Sequence, residues 1–123
     1  MEKPQIINTS QLPAVTKRGG KLKVYAGPKN LGTTQLVLGN TTLQPGEETI
    51  EHVHDYSEEI WYILRGRGTV MLESIVYDVI PGDIIFTKQG QKHKISNEGN
   101  EEMEFLFVSA PQAPSDKLGH RDI

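Results

Sequence analysis

Two kinds of residue that bind metal ions, histidine and glutamate, crowd into one short stretch. From Gly46 to Gly66 the chain reads GEETIEHVHDYSEEIWYILRG, with His52, His54, Glu58 and Glu59 between the two glycines. His52 and His54 are two apart. In a strand, alternate side chains share a face, so both imidazoles point the same way and form a bidentate grip. Glu59, after a short turn, can bring a carboxylate to the same point. A second stretch, GDIIFTKQGQKHKISN from Gly82 to Asn97, adds His93. Three neutral imidazoles and one carboxylate make a mixed N/O donor set that suits one divalent first-row transition metal, whether manganese, iron, nickel, zinc or copper.

The composition narrows the chemistry. The chain has 123 residues and no cysteine, so thiolate ligands, disulfides and a cysteine nucleophile are excluded. A metal would rest on His and carboxylate alone. The net charge is -3 and no basic stripe is visible, which gives nucleic-acid binding no support. The N-terminal sequence has no apolar core of signal-peptide length and no apolar run approaches a membrane span, so the expectation is a cytoplasmic protein that does not enter a membrane.

The elements that would position these residues are short strands. Apolar and β-branched runs recur every 8–12 residues or so between turn signals such as Gly27-Pro28, Gly39-Asn40, Pro45-Gly46, Pro81-Gly82 and Asn97-Glu98-Gly99-Asn100. No segment holds a helical period over three turns. The pattern predicts nine or ten strands of an all-β, antiparallel sandwich or barrel in a single domain over residues 1–123. Expected strands include 22–25, 33–38, 41–43, 59–64, 84–87, 93–96 and 103–108. A hairpin of 68–73 and 75–80 turns at Glu73-Ser74 without the usual Gly or Asn. Residues 1–30 should carry an edge strand, starting from the apolar patch Ile6-Ile7. Residues 109–123 should form a surface-hugging or partly ordered tail, with His120 solvated. In the strand at 59–64, Ile60, Tyr62 and Leu64 fall on one face and Glu59, Trp61 and Ile63 on the other. Both faces are apolar, so the strand is expected to be covered on both sides, by the interior and by another element or subunit. Trp61, Ile63, Met71, Ile84 and Phe86 are candidates to line the interior.

The two stretches resemble the paired motifs of the cupins. The first, G-x5-H-x-H-x(3,4)-E-x6-G, is matched by Gly46, His52, His54, Glu59 and Gly66. The second, G-x5-P-x-G-x2-H-x3-N, is matched by Gly82, Gly90, His93 and Asn97, with Lys88 in place of the proline. The resemblance covers about residues 33–108. It implies a β-jelly-roll barrel, the double-stranded β-helix, with a metal held inside by His52, His54, Glu59 and His93. Glu58 competes with Glu59 for the carboxylate role, and the six residues before Gly66 favour Glu59. It also implies a homodimer and a small-molecule ligand. Three functions follow: a metal-dependent oxygenase or decarboxylase of a small oxygenated molecule, a non-redox isomerase, epimerase or cyclase, and a non-catalytic binding or sensing module. Glu58 or Glu47 could act as a general base if turned inward, and Arg65 or Lys88 could meet an anionic substrate.

Overall fold

A computed structural model describes residues 2–123. Ten strands carry the fold: β1 Lys21–Ala26, β2 Val37–Leu43, β3 His52–Val53, β4 Glu58–Arg65, β5 Gly68–Leu72, β6 Ile75–Val79, β7 Ile84–Thr87, β8 His93–Ser96, β9 Met103–Ala110 and β10 Arg121–Asp122. They form two antiparallel five-stranded sheets, ordered β1-β2-β9-β4-β7 and β10-β3-β8-β5-β6. The alternation in β4 shows how sequence becomes layer. Glu59, Trp61 and Ile63 turn in, while Ile60, Tyr62 and Leu64 turn out. The core between the sheets is Leu43, Trp61, Ile63, Val70, Val79, Ile85, Ile95, Met103 and Phe105. No ladder joins the sheets edge to edge among the described residues, so the jelly roll is a sandwich rather than a closed barrel. No helix among them is long and apolar enough to cross a membrane.

Several expectations are corrected. Ile6-Ile7 forms no strand, and Ile6 is 89% exposed. Gly39-Asn40 is not a break: β2 runs through it, and residues 33–36 lie outside the strand. Gly39 stands opposite Phe107, and a Cβ there would lie 2.1 Å from the phenyl ring. This glycine makes room for a ring and does not turn the chain. Ile84 and Phe86 do not line the interior. Pairing of Trp61 with Ile85 sets the parity of β7, sending Ile85 and Thr87 inward and Ile84 and Phe86 to the surface. A short apolar run carries no alternation from which that parity can be read. Among the described residues nothing covers the outer face of β4, where Ile60, Tyr62 and Leu64 stay 40–46% exposed.

The hairpin without a turn glycine is real. Glu73 adopts φ 56°. Its N–H donates to the Lys92 carbonyl at 2.8 Å, and its carboxylate accepts from Lys92 N–H at 3.2 Å. Bonds from a neighbouring loop thus offset the backbone strain that Gly or Asn would avoid.

Candidate metal site

The two sheets face each other across the histidines. His52 on β3 is the register partner of His93 on β8, and His54 follows β3 on the same face. Glu59 and Trp61 reach the same place from β4 in the opposite sheet. Lys88 holds the second motif's turn differently from a proline. Its N–H donates to the Gln91 side chain at 3.0 Å, a bond proline cannot make, and the turn's Gly90 N–H donates to the His54 carbonyl at 2.8 Å.

Each imidazole is oriented by a carbonyl at its Nδ1. His52 Nδ1 meets Ile50 O at 2.6 Å, His93 Nδ1 meets Gln91 O at 2.9 Å, and His54 Nδ1 meets Gly119 O at 2.7 Å. A carbonyl only accepts, so Nδ1 donates in all three and a neutral ring presents its Nε2 lone pair. Three ligand atoms, one per ring, lie within 4.8 Å of one another. His52 and His93 bring their Nε2 atoms to 3.1 Å. Two nitrogens about 2.1 Å from one ion at that spacing subtend roughly 95°, a normal angle for neighbouring ligands. His54 Nε2 is buried and has no hydrogen-bond partner among the described residues. Two facing lone pairs and a buried orphan nitrogen are what a cation would satisfy, so the donor set fits a divalent ion.

Glu59 lies beside this group but outside it. Its Oε2 is 3.4 Å from His54 Nε2 and accepts from Ser109 Oγ at 2.7 Å, while Oε1 accepts from Trp61 Nε1. It is buried, whereas Glu58 faces solvent at the other side of β4. Of the four residues read from the motifs, the structure gathers His52, His54 and His93, and anchors Glu59 against His54. Glu47 is exposed and caps Gln44 N–H at 2.7 Å, and Arg65 pairs with Glu102 and Glu104 at the surface. Lys88 is exposed too, so none of these reaches the histidines. Asn97 is structural: its amide donates to Leu43 O and Glu101 O, both at 2.8 Å.

The electrostatics follow from burial. Burial and then the His93 charge push the His52 pKa down to about 4. Burial also lowers His93. Burial alone would depress His54, but the Glu59 carboxylate 3.4 Å from its Nε2, which favours the charged ring, and the Gly119 carbonyl outweigh it and raise its pKa. Burial would raise Glu59, yet His54 and Ser109 outweigh it and hold the carboxyl below its ordinary value.

The tail hugs the surface as expected, but His120 within it is half-buried and not solvated. β10 pairs with β3, and the His120 ring centre lies 6.2 Å from that of His52. Sequence reasoning missed Gly119 and His120 because neither belongs to a motif. The one signal was the fourth histidine of a chain whose other three converge. On another side, a cleft of about 290 Å³ opens between β6 and β7. Its lining includes Leu72 and Ile85, the strand partners of His93 and Trp61.

This fold and this histidine group are those of a cupin, and the chain belongs to that family: the cupin-domain model matches residues 39–109. The chain is 32% identical over 120 residues to polyketide synthase CurC of Streptomyces cyaneus, spanning 98% of this chain and 78% of that one. It is 39% identical over 95 residues to the oxalate-binding protein of Thermotoga maritima, spanning 74% and 78%. A solved structure of a predicted oxalate decarboxylase from Thermotoga maritima superposes with a TM-score of 0.74 at 26% identity, over 86% of this chain and 98% of that one.

Proposed function

We propose that this cupin is a metal-dependent enzyme acting on a small oxygenated organic molecule, with His52, His54, His93 and Glu59 holding one divalent transition metal. The observation that supports it best is the set of three Nδ1-to-carbonyl bonds that turn the rings onto one point and leave His54 Nε2 buried and unpartnered. A bound ion would supply Lewis-acid polarisation of a substrate oxygen and positions for a chelating ligand. The chain's own part is to fix the imidazole tautomers, to keep Glu59 ionised between Trp61 and Ser109, and to screen the site between two sheets. Oxalate and polyketides both carry closely spaced oxygens, and relatives named for each resemble this chain. Oxygenation or decarboxylation is the first reading. Similarity to a polyketide synthase protein favours a second, a non-redox cyclisation or isomerisation. Similarity to an oxalate-binding protein favours a third, binding without turnover.

The test is elemental analysis of untagged protein purified without added metal, beside a His52→Ala, His93→Ala double variant. Near-stoichiometric metal in the parent and none in the variant is expected. A parent that is empty and takes up no manganese, iron, nickel, zinc or copper on titration overturns the reading. Iron, manganese or copper directs the search to oxygen consumption and decarboxylation, and zinc or nickel to cyclisation and isomerisation.

A further inference from the structure

The three site imidazoles are not oriented alike. His52 and His93 take their carbonyls from Ile50 and Gln91, two residues back in the loops that lead into β3 and β8. Such bonds are local to the start of each strand. His54 borrows its carbonyl from Gly119, 65 residues away in sequence. That carbonyl is present only while the C-terminal residues are docked.

The docking contacts are few and mostly wet. Arg121 and Asp122 pair with Val53 and His52, and Ile123 N–H donates to Glu51 O at 3.1 Å. Arg121 forks onto both oxygens of Asp55 at 2.9 Å, and Arg18 meets Asp122 at 2.8 Å. Arg121 and Asp55 are 62% and 43% exposed at their side chains, and exposed pairs contribute little. A two-residue edge strand held this way sits near the low end of local stability. The buried end of the segment is the Gly119–His54 bond, and His120 is brought to the rim of the site beside His52.

We propose that residues 119–123 are a strap whose docking completes the metal site, so that metal binding and strap docking strengthen each other. This rests on the metal reading above. With the strap away, the His54 ring loses the acceptor that fixes its tautomer, and its Nε2 is no longer held toward His52 and His93. With an ion in place, His54 is fixed from the inside, and its Nδ1–H holds Gly119. Binding free energies are reciprocal, so the factor by which the strap raises affinity equals the factor by which the ion favours docking.

The experiment titrates zinc, against a chromophoric chelator, into four metal-free proteins: the full chain, the chain ending at Leu118, Arg121→Gln and His120→Ala. Losses of an orienting partner typically cost about 10- to 100-fold in metal affinity, and the shortened chain should fall in that range. Arg121→Gln should fall in the same direction by less, and it carries the test if the shortened chain does not fold. His120→Ala keeps the strap and should bind as the full chain does. In parallel, trypsin cleavage after Lys117 and Arg121 of the full chain, followed by mass, should slow on zinc saturation by the factor lost on shortening. Unchanged affinity in a folded shortened chain overturns the strap and leaves the metal reading standing. Equal loss in His120→Ala and the shortened chain overturns it in favour of the imidazole itself. A full chain that binds no zinc and none of the other four metals overturns both.

Discussion

At the residue scale, the site is a set of buried groups whose protons are controlled by neighbours, and this makes the metal-free chain sensitive to acid. His52 holds a pKa of about 4 against an ordinary 6.5. Because the folded value is depressed, below pH 6.5 the unfolded chain gains a proton that the folded one refuses. Stability conferred by the neutral ring is therefore complete above 6.5 and falls as pH drops toward 4, by on the order of 3 kcal/mol. His93 acts in the same sense. His54 acts oppositely: its raised pKa gives stability that is present below 6.5 and lost as pH rises through its folded value. Urea unfolding of metal-free protein between pH 7.5 and 4.5 should show the loss, and His52→Phe should flatten it; a slope that the substitution does not change would refute the burial account. Trp61 offers a second check, as the sole tryptophan and the donor to Glu59 Oε1. Trp61→Phe strands that oxygen in the core and should cost about 1–3 kcal/mol of unfolding free energy beyond its packing loss. A double-mutant cycle with Glu59→Leu, which removes the acceptor, isolates the coupling, and a value near zero would mean that the bond does not form. The histidine positions were legible because a strand's period of two puts His52 and His54 on one face and two short motifs fix the rest. The role of Gly119 was not legible, because a backbone carbonyl has no sequence signature and its partner lies far along the chain.

At the scale of the elements, the sequence marked most strands but not their limits or parity. β7 and β8 fall where turn signals bracket them, since Pro81-Gly82, Gly90 and Asn97-Glu98-Gly99 leave little freedom. Gly39 misled because the same residue serves tight turns and close packing, and only the Phe107 ring on the neighbouring strand distinguishes the two. The motif glycines separate on the same ground. Gly66 combines φ 74° with a Cβ position 2.5 Å from the Glu102 carbonyl oxygen, which is backbone and cannot swing aside. Gly82 has φ 94° but nothing within 4 Å of its Cβ position. Gly82→Ala should cost only the left-handed strain of roughly 1–2 kcal/mol. Gly66→Ala must also push β4's end away from the loop before β9 and should lower the melting temperature by clearly more. Equal shifts for the two in thermal unfolding would show that conformation alone governs these turns and that the Glu102 contact has relaxed.

At the scale of the whole molecule, one sheet has an apolar face that the other described residues leave bare. Ile60 pairs in register with Phe86 and Val108, and Tyr62 pairs with Ile84. These side chains lie on the outside, 39–67% exposed, with Leu64 continuing the row. Contiguous exposed apolar surface is uncommon on monomers and is more often covered by a partner. Both faces of β4 read as buried in the sequence, yet the folded chain covers one. A second copy presenting the same face is the reading we propose, since an isologous contact needs only one self-complementary patch. Covering this sheet would also stiffen the strand that presents Glu59 and Trp61 to the histidines. Sedimentation of the parent should then give a dimer. An Ile60→Lys, Phe86→Lys double variant, charged at two adjacent outward positions and untouched in the core, should sediment as a folded monomer. A parent that is monomeric at high micromolar concentration would refute the second copy. A variant that stays dimeric would place the contact elsewhere on the molecule.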